Sequence, residues 1–105
     1  MEMPVYLIAA VNIHDDVQYE EYIRQSWPTF EGVEVKMLAL SNDVEALEGS
    51  NVPNRIALLE FPDRASIEAW YQSEAYQKNA VPVRHAAADT QFMAIVDAYE
   101  PPAVA

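Results

Sequence analysis

RIALLEFPDRASIEAWYQSEAYQKNAVPVRHAAAD, running from Arg55 to Asp89, is the stretch on which the fold turns. Arg55 to Phe61 is a short apolar run of strand-forming residues. Pro62 stops it, and the Asp63 carboxylate is placed to accept from the free backbone N–H groups of a helix start. Ile67, Trp70 and Tyr71 then recur at helical spacing and give that helix a core face. Ser73 can cap a second helical segment carrying Tyr76, Ala80 and Val83, interrupted at Pro82. Arg84 and His85 close that segment ahead of three alanines.

Outward from this stretch the chain supplies more strands and one more helix. Val5 to Ile13 is apolar on both alternating sets, which predicts a strand covered on both faces. Asp15 can cap a helix with Gln18 three residues on. Tyr19, Tyr22, Ile23, Trp27 and Phe30 form its aromatic stripe, and Pro28 and Gly32 bring it to a stop. Val33 to Leu40 alternates as a half-buried strand. Ser41 to Asn54 is turn-rich, with Val44 to Leu47 able to pair as a short edge strand. Thr90 to Tyr99 reads as the last strand, Phe92, Ala94 and Val96 on one side and Met93 and Ile95 on the other.

The order is β-α-β-β-α-β, the split βαβ pattern of the ferredoxin-like α+β fold, with an antiparallel sheet and both helices on one face. Residues 1–100 are expected to form this single domain and 101–105 a flexible tail. The outer strands offer apolar side chains to both faces of the sheet, and a large exposed apolar face marks an interface. A homodimer packed sheet to sheet follows from that pattern alone.

Composition narrows the partners. Seventeen acids against six bases give a net charge of −11, and no basic stripe interrupts it. Phosphate backbones and anionic membrane surfaces repel such a chain. There is no cysteine, so disulfides, thiolate chemistry and cysteine metal sites are excluded. The run Val5 to Val11 is far too short to span a bilayer and lacks the pattern of a secretion leader. A cytoplasmic protein is expected. A glycine-rich phosphate loop, a nucleophile elbow and a metal motif are missing from the sequence, so neither a metal nor a cofactor is expected.

Three segments carry a family resemblance: VEALEG (Val44 to Gly49), RIALLEFPDRASIEAWYQSEAYQ (Arg55 to Gln77) and RHAAADT (Arg84 to Thr90). They resemble the uncharacterised family called domain of unknown function thirteen-thirty, of the dimeric α+β barrel superfamily. Tyr19-Glu20-Glu21-Tyr22 and the downstream Phe30 fit as well. The chain departs from the family at the second strand, where KMLALSND stands in place of a glycine pair and alters the hairpin that follows. The resemblance implies a ferredoxin-like fold and a dimer whose two sheets make a barrel. It implies no established activity.

The candidate chemistry rests on few polar groups. Glu60 shares a strand face with Ile56 and Leu58; in an apolar cleft its carboxyl would be a general base, and otherwise it is an ion-pair partner near a strand end. Arg84 can bind a carboxylate or phenolate and His85 can move a proton, or both can be surface residues. Asp89 and His14 read as helix-end residues, and His14, Asp15 and Asp16 diverge too much to hold a metal. Tyr22, Trp27 and Trp70 belong first to the core, yet so many rings above one small sheet can also wall a pocket. Two functions remain in view. One is a site for a small apolar or aromatic molecule between helices and sheet; by analogy with relatives in the superfamily that the chain resembles, its chemistry would be that of a cofactor-free oxygenase, isomerase or lyase, with Glu60 as base and His85 with Arg84 holding an oxyanion. Haem held by His85 is a lesser variant. The other is a non-catalytic dimeric module that binds a ligand or partner.

Overall fold

The computed structural model describes residues 3–101. Strand β1 (Val5–Ile13) leads into helix α1 (Asp16–Ser26), whose Asp15 side chain accepts from the Gln18 backbone N–H at 3.1 Å. Pro28 has no N–H to continue an α-helix, and the chain tightens into a 3₁₀ turn over Trp27–Phe30. Gly32 then takes a φ of +79°, a left-handed turn that a side chain would disfavour. Strands β2 (Lys36–Ser41) and β3 (Arg55–Phe61) follow, then α2 (Arg64–Tyr71), a π-helical stretch (Ala75–Ala80), α3 (Val81–Ala87) and β4 (Ala88–Asp97). Asp63 caps α2, accepting from the Ser66 N–H at 2.7 Å.

The four strands make one antiparallel sheet in the order β2-β3-β1-β4. With the helices this is the ferredoxin-like α+β fold that the element order predicts. On the helix side Val5, Leu7, Leu59 and Phe61 are buried against Ile67, Trp70, Tyr76 and Ala80. A second cluster, Val11, Tyr19, Ala87 and Ala88, closes the other end. There the His14 and Asp15 N–H groups both bond the Ala87 carbonyl, tying the start of α1 to the end of α3. Among the described residues no helix is long and apolar enough to cross a membrane.

Four local expectations change. Val44 to Leu47 forms no strand and pairs with none of the four strands of the sheet, and Leu47 is 93% exposed. Strand β2 starts at Lys36 rather than Val33, so Val33 and Val35 pack on the core from a loop, and the strand itself is largely exposed where half burial was expected. In the second helical segment the wide π turn rotates the inward face, so Val81 and Arg84 are buried and Val83 only partly so. Tyr71, expected on the core face of α2, is 36% exposed. Of the expected tail, Pro101 is exposed and residues 102–105 lie outside the described residues.

Candidate functional site

A cleft opens between α1 and the helix side of the sheet, and its walls follow from periodicity. Tyr19, Tyr22 and Ile23 point down from α1 at helical spacing, while Leu7, Ala9 and Val11 point up from alternate positions of β1. Trp27 and Phe30 close one side from the 3₁₀ turn, and Met37 and Leu40 do so from β2. The interior space is about 70 Å³, room for a few waters as it stands. Both tryptophans of the chain line it, and among the described residues no aspartate or glutamate does.

Two guanidinium groups enter this apolar space. Arg84 comes from α3 and is 3% exposed. Its Nε donates to Thr90 Oγ1 at 3.1 Å and its Nη1 to the Tyr76 hydroxyl at 2.6 Å. The Tyr76 hydroxyl is also hydrogen-bonded to that of Tyr22 at 2.7 Å. The guanidinium carbon lies 5.7 Å from the Tyr22 ring centre and 6.0 Å from that of Tyr76, within cation–π range. Arg84 therefore sits in a cage of phenols and a threonine, with no carboxylate among the described residues paired to it. Burial works against its charge, but the Tyr76 and Tyr22 oxygens outweigh it and hold the group above its ordinary range.

Arg55 stands at the mouth. Asn54 bonds both the N–H and the carbonyl of Ile13, at 2.7 and 2.9 Å, and its own N–H reaches Asn12 Oδ1. This lock pins the start of β3. By strand parity Arg55 then faces the helix side with Ala57 and Leu59, lies 5.1 Å over the Tyr19 ring, and donates to Asn42 Oδ1 at 2.8 Å.

Tyr19 and Tyr76 are strongly biased toward their neutral form. Burial, then the neighbouring Tyr22, push Tyr19 up to about 12 against the opposing pull of Arg55 and Arg84. Burial and Tyr22 raise Tyr76 further still. A tyrosine hydroxyl can donate as well as accept, so Tyr22, Tyr76 and Arg84, joined by hydrogen bonds, form a connected set able to bind an oxyanion or pass a proton. Trp70 anchors the wall. Its ring stacks on Phe30 at 4.7 Å, lies 4.2 Å from Tyr76, and its Nε1 donates to Thr29 Oγ1 at 2.9 Å.

Of the residues singled out in the sequence, Tyr22, Trp27, Trp70 and Arg84 line the cleft, whereas Glu60 and His85 do not. Glu60 alternates with the buried Leu59 and Phe61 and so faces the side of the sheet without helices. There it meets Lys36 across the β2–β3 ladder at 3.9 Å, beside a groove with Pro4 and Glu34. His85 follows Arg84 on a helix, where adjacent side chains diverge, and it is exposed. The cleft consequently offers His85 no route to act as base or haem ligand within it. Among the described residues no cluster of three His, Asp or Glu could hold a metal. Arg55, Tyr19, Tyr76 and Thr90 were not singled out as site residues. The available signal was Arg55 sharing strand parity with Ala57, Leu59 and Phe61.

Comparisons with known proteins agree with the fold. A family model described as a domain of unknown function, DUF1330, matches residues 4–99. No curated protein matches. A structure of the protein RPA0582 from Rhodopseudomonas palustris, of unknown function, is similar with a TM-score of 0.79 and 21% identity, over 96% of this chain and 86% of that one. SnoaB, described as a cofactor-independent oxygenase from Streptomyces nogalater, has a TM-score of 0.65 and 10% identity, over 94% and 96%. HapK from Hahella chejuensis has a TM-score of 0.62 and 12% identity, over 96% and 98%.

Proposed function

The chain belongs to the DUF1330 family, and we propose that it is a homodimeric protein that binds a small organic molecule in the cleft beneath α1. The observation that carries this reading is Arg84: a charged side chain, 3% exposed, set without a carboxylate into an aromatic wall. Burying a charge is strongly unfavourable unless something compensates it. Phenols and a threonine do so in part, and a bound ligand completes the set.

The dimer rests on the other face of the sheet. Tyr6, Ile8, Leu58, Phe92 and Val96 are brought side by side there by the strand register, and Phe92 and Val96 are 48% and 38% exposed. A second copy packed sheet to sheet would remove this apolar face from water. A cytoplasmic location belongs to the same reading, on the strength of the charge and the lack of cysteine.

Catalysis without a cofactor is the second reading. It is favoured by the hydrogen-bonded Tyr22–Tyr76–Arg84 set, which could steady an oxyanion as it develops, and by the description of SnoaB, whose fold is similar. Native mass spectrometry of freshly purified protein tests the binding reading. It should show a species of twice 11.8 kDa carrying an organic adduct that an Arg84→Met variant loses. A bare monomer would overturn it.

A further inference from the structure

The chain has six cationic side chains other than histidine. Four of them are ion-paired at the surface: Arg24 with Glu21, Lys36 with Glu60, Arg64 with Asp97 and Lys78 with Glu74. The remaining two, Arg55 and Arg84, line one cleft, and among the described residues neither has a carboxylate within ion-pair distance. With seventeen acids available, a cation left without one is a matter of placement. Arg55 reaches inward because of its strand parity, and Arg84 because of the face that the π turn sets for α3.

We infer that the ligand is a small organic anion of about one ring, its charged oxygen seated against Arg84 at the cleft floor and drawn in past Arg55 at the mouth. This deepens the binding reading above and rests on it. Three features argue for that chemistry. The guanidinium of Arg84 has five N–H donors, of which Nε and Nη1 are engaged. A carboxylate or phenolate can accept from the rest with the geometry guanidinium favours. The lining beyond the two arginines is aromatic and aliphatic, which suits a planar apolar body. The interior space, about 70 Å³, is well below the several hundred Å³ of sites for drug-sized ligands; it sets one small ring as the upper limit, with part of that ring lying in the open mouth beside Arg55 and Trp27. The net charge of −11 works against an anion at long range, but such repulsion is screened beyond about 8 Å at physiological ionic strength. The guanidinium contact is not.

The experiment is isothermal titration calorimetry of the intact protein, cleared of any co-purified molecule, with benzoate, its neutral isostere benzamide, and cyclohexanecarboxylate. Benzoate is expected to bind about tenfold or more tightly than benzamide, the difference between charge-assisted and neutral hydrogen bonds. It should also outbind cyclohexanecarboxylate, whose puckered ring fits the aromatic wall less well. Arg84→Met should abolish the preference for benzoate over benzamide. Arg55→Met, at the partly exposed mouth, should lower benzoate affinity severalfold with the fold intact by circular dichroism. Should Arg84→Met fail to fold, the wild-type ratio and the Arg55→Met variant decide the matter. Benzamide binding as tightly as benzoate would overturn the anion inference and leave small-molecule binding standing. Binding by none of the three would overturn both.

Discussion

Replacing Tyr76 by phenylalanine removes one oxygen from the centre of the cleft wall, and the effect follows from what that oxygen touches. It accepts from Arg84 Nη1 at 2.6 Å and shares a 2.7 Å hydrogen bond with the Tyr22 hydroxyl, on a residue that is fully buried. The ring remains, so apolar burial hardly changes. A hydrogen bond to a charged group is worth about 1.5–3 kcal/mol and a neutral one about 1 kcal/mol, and the abandoned guanidinium N–H is left facing a phenyl ring. The expected loss is on the order of 3 kcal/mol, a large part of the roughly 5–15 kcal/mol that holds a small domain together. With a urea slope of about 1–3 kcal/mol per M, the midpoint should fall by about 1–3 M. Tryptophan fluorescence is a suitable probe because Trp70 lies 4.2 Å from the Tyr76 ring, and both proteins should be compared at one concentration because the proposed dimerisation would couple to unfolding. Combining Tyr76→Phe with Tyr22→Phe should cost less than the two singly, with a coupling of about 0.5 kcal/mol or more. A midpoint within about 0.3 M of wild type, or strict additivity, would refute the claim that these hydroxyls and Arg84 act as one set.

Alkaline pH should destabilise the protein. Tyr19 ionises near its ordinary 10.0 when unfolded and near about 12 when folded, so between those values the folded state holds more protons. Stability from this group is therefore complete below about pH 10 and falls by up to about 1.4 kcal/mol per pH unit above it. Tyr76, raised further, acts in the same direction; urea midpoints that stay flat across that window would contradict both. Phe92→Asp places a charge on the open sheet face where the side chain is already 48% exposed. It should leave far-ultraviolet circular dichroism unchanged while light scattering drops from twice 11.8 kDa to 11.8 kDa. Glu60→Gln and His85→Ala should each leave benzoate affinity within about twofold of wild type by calorimetry, as expected of surface substitutions away from the site. A tenfold loss in either would return that residue to the cleft.

The fold was legible because each element carries its own chemistry. Asp15 and Asp63 announce helix starts and both do cap, Pro28 announces an ending, and alternation marks the strands. The exceptions share a cause: they depend on neighbours the local pattern does not contain. Val44 to Leu47 has strand character but no partner strand beside it. Val83 lost its inward place because the π turn over Ala75–Ala80 changes the phase of the helix, and spacing alone assumes a regular one. For the cleft, the aromatic walls and Arg84 were named as candidates from residue type. Pairing Arg84 with His85 overlooked the divergence of adjacent positions on a helix. Glu60 was assigned the correct strand face, but that face is not the one the helices cover.

The cleft is where local and global charge part company, and strand parity explains why. Seventeen acids make the molecule strongly negative as a whole, yet none of the described ones lines the space beneath α1. Glu21 sits on the outer side of α1, pairing with Arg24 and Gln25, while Tyr19 and Tyr22 turn inward. Glu60 sits on the far side of β3, while Arg55, Ala57 and Leu59 turn toward the helices. The same periodicities that sort apolar from polar residues have thus placed acids outside and two arginines inside. Had burial alone governed this face, a methionine or leucine in place of Arg84 would fill the volume without desolvating a charge. The arginine instead requires Tyr76, Tyr22 and Thr90 to be arranged around it. A fold that invests three polar partners in one buried cation, with none of the described acids paired to it, has the arrangement that the proposed anionic ligand requires.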